Sequence, residues 1–112
     1  MSTRALAKVY DNQGENVLVT IYKHWDGYPE APGLGATLEE ITSKYSLVNG
    51  LPMDKEGLAN GMECFAASLI KELKQGPGDV YVYPPETKGV WEEYIYHIKP
   101  DGDKIKVEVE EV

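Results

Sequence analysis

A chain of 112 residues, 42% apolar and 27% charged, has the size and composition of one globular domain, residues 1–112, with a single core. Its formal net charge of −8, with Arg4 as the only arginine, disfavours nucleic acid, whose phosphates are met by lysine and arginine. A lone cysteine, Cys64, excludes an internal disulfide framework, and no apolar run approaches the about 20 residues of a membrane span.

The opening "MSTRALAKVY" lacks the apolar run of a secretory signal, so a reducing cytoplasm is the expected compartment. Lysines interleave with acids in "KIKVEVEEV", a mixed field that argues against mimicry of DNA and leaves a basic partner as the natural complement. Cys64, within "MECFAAS", is expected to be a buried, inert helix residue.

In chain order, "RALAKVY" sets Leu6, Lys8 and Tyr10 against Ala5, Ala7 and Val9, an alternation that predicts a strand. After the polar turn "DNQGEN", "NVLVTIYK" alternates Val17, Val19 and Ile21 with Leu18, Thr20 and Tyr22, the return strand of a hairpin. It leads directly into "KHWDGYPE", residues 23–30. Thr37, three residues before Glu40, reads as a capping box for a helix carrying Leu38, Ile41, Tyr45 and Val48, stopped at Asn49-Gly50. "LPMDKEGL" reads as an exposed loop.

Asn60 with Glu63 reads as the cap of a stronger helix, whose stripe is Met62, Phe65, Ala66, Leu69 and Leu73, ended by Gly76-Pro77. Three strands follow: "DVYVY", stopped by Pro84-Pro85; "WEEYIYHI"; and "KIKVEVEEV", with an Asp101-Gly102 hairpin turn between the last two. The order β-β-α-α-β-β-β implies an α+β fold, a largely antiparallel sheet of about five strands with two helices packed on one face.

Residues 23–30 gather chemistry that a plain turn does not need. His24 is one of two histidines, the one side-chain type whose unperturbed pKa lies near neutrality, and a turn at Asp26-Gly27 would bring Asp26 beside it. Trp25 and Tyr28 offer rings for stacking; Lys23 offers a cation and Glu30 a second carboxylate. An architectural reading competes. Aspartate before glycine caps turns, Tyr28-Pro29 sets an extended or cis segment, Trp25 plugs the end of the sheet, and His24 satisfies a buried carbonyl.

The spacing H-x-D-x-x-x-E matches no established metal-site pattern, and His97 reads as a partly buried structural histidine, so neither a metal nor a cofactor is expected. Phosphate-loop, dinucleotide and G-x-S-x-G signatures are absent. Tyr81, Tyr83, Tyr94 and Tyr96 alternate on two strands expected to be neighbours. They form either cross-strand core pairs or an exposed aromatic face suited to a homodimer.

The segments "STRALAKVYD", "IYKHWDGYPE" and "NGMECFAASLIKELKQGPGDVYVYPP" resemble a family of short uncharacterised proteins from phages, bacteria and archaea. In that family an S-x-R opening precedes an H-W-D-G-Y-P motif. The resemblance brings no established activity. It suggests a phage or mobile-element setting and implies that Ser2, Thr3 and Arg4 belong with the loop, Arg4 bridging to Asp26 or Glu30. The exit "EAPGLG" departs from the plainer Glu-Gly-x-Gly continuation that the resemblance implies.

Three functions compete. The first is a small binding or regulatory protein that engages a protein or small-molecule ligand through Arg4, Lys23, Trp25, Tyr28 and Glu30. The second is a hydrolase or lyase with His24 and Asp26 as the acid–base pair, assisted by Glu30 or His97. The third is a structural loop on a domain that works through its tyrosine face.

Overall fold

The computed structural model describes residues 3–50 and 57–112. The expected first hairpin is β1 (Ala5–Tyr10) and β2 (Val17–Lys23), paired antiparallel with Ala7 opposite Ile21 and Val9 opposite Val19. Asp11 closes its turn by accepting the N–H groups of Gln13 and Glu15 at 3.2 and 3.0 Å, an Asx-type device. Next come α1 (Leu34–Ser43), β3 (Ser46–Val48), β4 (Leu58–Asn60) and α2 (Gly61–Leu73). The chain continues with β5 (Val80–Tyr83), β6 (Tyr94–Asp101) and β7 (Lys104–Glu111).

The fold is α+β. Five strands form a mixed sheet in the order β5-β2-β1-β6-β7, in which β1 and β6 run parallel and the other neighbours antiparallel. A separate pair, β3 with β4, is parallel.

Alternate residues of the sheet, Ala5, Ala7, Val9, Ile21, Val80, Tyr96, Ile98 and Ile105, join the apolar side chains of both helices in one core. The contributors from the helices are Leu34, Leu38 and Ile41 of α1 and the Met62, Phe65, Ala66, Leu69, Leu73 stripe of α2. Spacing of three and four along α2 places these on one side of the helix.

Among the described residues, the connection between β5 and β6 runs over the face of the sheet that carries Lys8 and Thr20. β5 and β6 both run parallel to β1 but lie on either side of the β2–β1 pair, so their connection, residues 84–93, has to cross the sheet. The Lys8 ammonium holds this strap, donating to the carbonyls of Pro85 and Thr87 at 2.9 and 2.8 Å and to Thr20 Oγ1 at 3.0 Å. Thr20 Oγ1 in turn donates to Pro85 O at 3.0 Å. Leu6 and Thr20, which alternate away from the core cluster, are both fully buried.

Several local expectations are corrected. Thr37 does not cap α1; the helix begins at Leu34 behind Gly33, and the Thr37 hydroxyl donates back to Gly33 O at 3.2 Å. Helical spacing through Tyr45 and Val48 fails because residues 46–48 pair with β4 instead, and Tyr45 turns edge-on to Phe65 at 5.4 Å. Asn60 does stand at the start of α2, but the cap comes from the first hairpin turn, where Asn12 Oδ1 accepts the Met62 N–H at 2.7 Å.

Cys64 is exposed, because it lies off the apolar stripe. The strand expected from Trp91 begins only at Tyr94. Residues 51–56 of the expected exposed loop lie outside the described residues, and Leu58 opens β4. Among the described residues no helix is long and apolar enough to cross a membrane.

Candidate functional site

β2 ends at Lys23 and the chain leaves the sheet tied to Asp79, the residue before β5. His24 N–H donates to Asp79 O at 2.8 Å and Trp25 N–H to Asp79 Oδ1 at 3.0 Å. The Lys23 ammonium reaches Asp79 Oδ2 at 2.6 Å and Trp25 O at 2.7 Å. Burial pushes the Asp79 carboxyl up, but the Lys23 charge and the two backbone donors outweigh it and hold it below its usual range.

Asp26 then turns the chain with a φ of 57°, a left-handed conformation that aspartate tolerates better than bulkier residues. Its carbonyl accepts the Leu34 N–H at 2.7 Å, which closes the loop against the start of α1. Gly27 is gripped from both sides, its N–H donating to Thr3 O at 2.8 Å and its carbonyl accepting the Tyr96 hydroxyl at 2.6 Å. A Cβ on Gly27 would stand 2.7 Å from both the Ala5 Cβ and Thr3 O, so no other residue fits. Further along, Gly35 N–H donates to Tyr28 O at 3.2 Å, and a Cβ on Gly35 would meet the Pro29 Cα at 2.5 Å.

The glycines of "EAPGLG" therefore let the start of α1 press onto Tyr28-Pro29. The cis peptide bond in this segment is Ala31–Pro32. Backbone contacts at Asp26, Gly27, Tyr28 and Pro29 thus fix the course of the loop.

The expected site residues divide between the two faces. Tyr22 Oη and His24 Nδ1 share a hydrogen bond of 2.8 Å on the face away from the core, where Tyr22 stacks on Tyr83 at 5.6 Å between ring centroids. Trp25 meets the His24 ring edge-on at 5.0 Å. Burial pushes the Tyr22 hydroxyl up, and the Arg4 charge offsets part of that rise. Among the described residues Arg4 makes no ion pair with Asp26 or Glu30, so the bridge implied by the resemblance does not form.

Asp26 instead lines a groove of about 430 Å³ with Lys23, Leu34, Thr37, Asp79 and Val80. No hydrogen bond joins His24 to Asp26. His97 stands opposite Lys8 on β6, with Nδ1 at 2.7 Å from Tyr10 Oη and Nε2 at 2.7 Å from Glu110 Oε1, a network separate from His24. Among the described residues no three ligating side chains converge on a metal position. The Tyr28 ring packs over Gly33. Glu30 is exposed, and Trp25 retains 51% of its surface in solvent.

The four tyrosines do not share a face. β5 and β6 are separated by β2 and β1; Tyr81 and Tyr83 point away from the core, whereas Tyr96 is fully buried within it. A tyrosine-rich dimer face built from all four does not exist.

The strap carries a feature that the alternation pattern concealed. Trp91 is 80% exposed and has a φ of 71°, a region that large side chains seldom occupy. The Glu92 carboxylate locks this turn by accepting the N–H groups of Gly89 and Val90 at 3.0 and 2.7 Å. Burial pushes Glu92 up, but those donors and the Lys8 charge hold it below the usual carboxylate range. Glu93 N–H then donates to Arg4 O at 2.8 Å.

Thr3 and Arg4 thereby tie down both loops, and each tryptophan lies two residues before its anchor, Gly27 or Glu93. A sequence signal existed. The consecutive acids Glu92-Glu93 interrupt the period-two pattern that resumes at Tyr94.

No family model, curated protein or solved structure matches this chain, so its geometry carries the functional argument.

Proposed function

We propose that this protein is a small binding module and that the Lys23–Glu30 loop is a rigid platform presenting Trp25 to a polypeptide partner. One observation carries the reading. The Trp25 backbone is fixed at both ends, N–H to Asp79 and carbonyl to Lys23, while its indole stays 51% exposed. A large ring on an immobile backbone loses little further freedom on binding, and tryptophan leads the residue types that dominate interface energies. Asp26, Gly27, Tyr28 and Pro29 build the platform; Trp25 makes the contact.

The acid–base alternative needs His24 and Asp26 at one reacting atom, and the two lie on different sides of the loop. A phage-displayed random peptide library, panned against the wild-type protein, tests the binding reading. Enriched peptides should bind Trp25→Ala about tenfold more weakly while its denaturation midpoint matches wild type. Equal binding by the variant, or no enrichment, overturns the reading.

A further inference from the structure

We propose that Tyr10, hydrogen-bonded in series with His97 and Glu110, is a nucleophile that accepts an acyl group from an activated carboxylic ester. This role goes beyond the binding reading and is independent of it, because none of its side chains belongs to the Lys23–Glu30 loop.

The three residues stand on adjacent strands, Tyr10 on β1, His97 on β6 and Glu110 on β7. Tyr10 and His97 alternate with the core residues Val9, Tyr96 and Ile98, which puts the relay on the face of the sheet away from the core. Tyr10 Oη lies 2.7 Å from His97 Nδ1, and His97 Nε2 lies 2.7 Å from Glu110 Oε1. A carboxylate only accepts, so Nε2 carries the ring proton. In the neutral imidazole Nδ1 is then the acceptor, and the Tyr10 hydroxyl donates to it. A hydroxyl bonded to a base, with the base oriented by a third group, is the arrangement that activates side-chain nucleophiles.

Two further observations set this phenol apart. The pairing of β1 with β2 slips at this point, Val9 opposing Val19 but Tyr10 opposing Val17, and such irregularities re-aim a side chain. The Lys99 ammonium stands 4.9 Å from the centre of the Tyr10 ring and is held by Glu108 at 3.2 Å. There it favours negative charge developing on the phenol. The relay is not needed to join the strands, because backbone pairing already links β1 to β6 and β6 to β7. Tyr10 and His97 are half-buried and Glu110 is exposed, so the relay is within reach of an ester from solvent.

In the reaction, Tyr10 Oη attacks the carbonyl carbon of the ester while His97 Nδ1 takes the phenol proton. The bond from that carbon to the leaving oxygen then breaks. The leaving oxygen keeps the bonding electrons and receives the proton from His97, and Tyr10 is left as an acyl ester. Glu110 is a positioning residue that fixes which nitrogen is free to act as the base.

Brief exposure to p-nitrophenyl acetate followed by peptide mass mapping tests this role. Tyr10 should be acetylated about a hundredfold faster than Tyr81, which is 45% exposed but has no histidine to itself, both being bonded to other tyrosines. His97→Gln should remove that advantage. Glu110→Gln, which lets the ring proton move to Nδ1, should reduce it about tenfold at an unchanged denaturation midpoint. Glu110→Asp, which keeps the carboxylate, should recover part of the rate, and acetylation of lysines should be the same in every variant. Equal acetylation of Tyr10 and Tyr81, or a Tyr10 rate left at the wild-type value by His97→Gln or Glu110→Gln, overturns the proposal. Nitrogen NMR of the wild type gives a check that needs no variant: the neutral His97 ring should carry its proton on Nε2, and a proton on Nδ1 overturns the proposal as well.

Discussion

The loop after β2 and the strap before β6 each carry one of the chain's two tryptophans, and they hold it by different means. The centre of the loop is closed by backbone hydrogen bonds at Asp26, Gly27 and Tyr28 and by the fit of glycines against neighbouring main chain. The strap, by contrast, is held by two ionised side chains, Lys8 below it and Glu92 within it. Steric closure tolerates no substitution but is indifferent to solvent conditions. Closure by charged groups tolerates more and responds to pH. This difference separates a motif dense in chemical groups, whose centre is held by backbone contacts, from a stretch without a motif that displays the most exposed large apolar ring.

The largest effect should come from Gly27→Ala. The added methyl would meet Ala5 and Thr3 O at 2.7 Å, neither of them a flexible side-chain end, and should lower unfolding free energy by about 3 kcal/mol in urea titrations. Lys8→Met removes the donor to two strap carbonyls and should cost about 1–3 kcal/mol. Amide exchange should rise in residues 84–93 while the amides of Gly27 and Leu34 stay protected. Exchange rising equally in both segments would break the distinction between steric and ionic closure.

Glu92→Gln should cost about 1 kcal/mol near neutral pH. Its folded-state carboxyl titrates below the usual glutamate value. The stabilisation is therefore complete above the unfolded value of about 4.3 and fades as pH falls through the lower folded value. Melting temperatures of wild type and Glu92→Gln should converge in that acid window. Asp79, also held low, contributes with the same sign where the loop begins, so it sets a shared acid-side slope in both proteins.

The smallest changes belong to the rings themselves. Trp25→Ala and Trp91→Ala should each shift stability by less than about 0.5 kcal/mol. Trp91→Gly sharpens the point: at a φ of 71°, glycine should be about 1 kcal/mol more stable than alanine at that position. Parity between the two would mean that the turn imposes no strain.

Both hairpins, the stripe of α2 and the α+β class were legible because each depends on local periodicity or on a two-residue turn. The parallel pairing of β1 with β6 was not, since nothing near Ala5 or Tyr94 encodes a partner some ninety positions away in the chain. The same limit hid the Asn12 cap on α2. The residues of the Lys23–Glu30 loop could be singled out by type, but their sidedness could not. Alternation ends at Lys23, and the left-handed Asp26 sends the rest of the loop to the other side of the sheet. Trp91 was missed because a strand pattern was read through the Glu92-Glu93 interruption.

The central position of β1 also dictates an order of assembly on the ribosome. β1 and β2 emerge before the rest of the sheet and can pair at once, but the second edge of β1 has no partner until Tyr94–Ile98 has been synthesised. Until the strap arrives, Thr20 and Lys8 on the opposite face lack their partners there. A nascent chain carrying both helices would still expose an open strand edge, a surface through which incomplete chains associate. Completion of the sheet therefore waits for β6, and the strap that displays Trp91 is the segment that carries the chain to it.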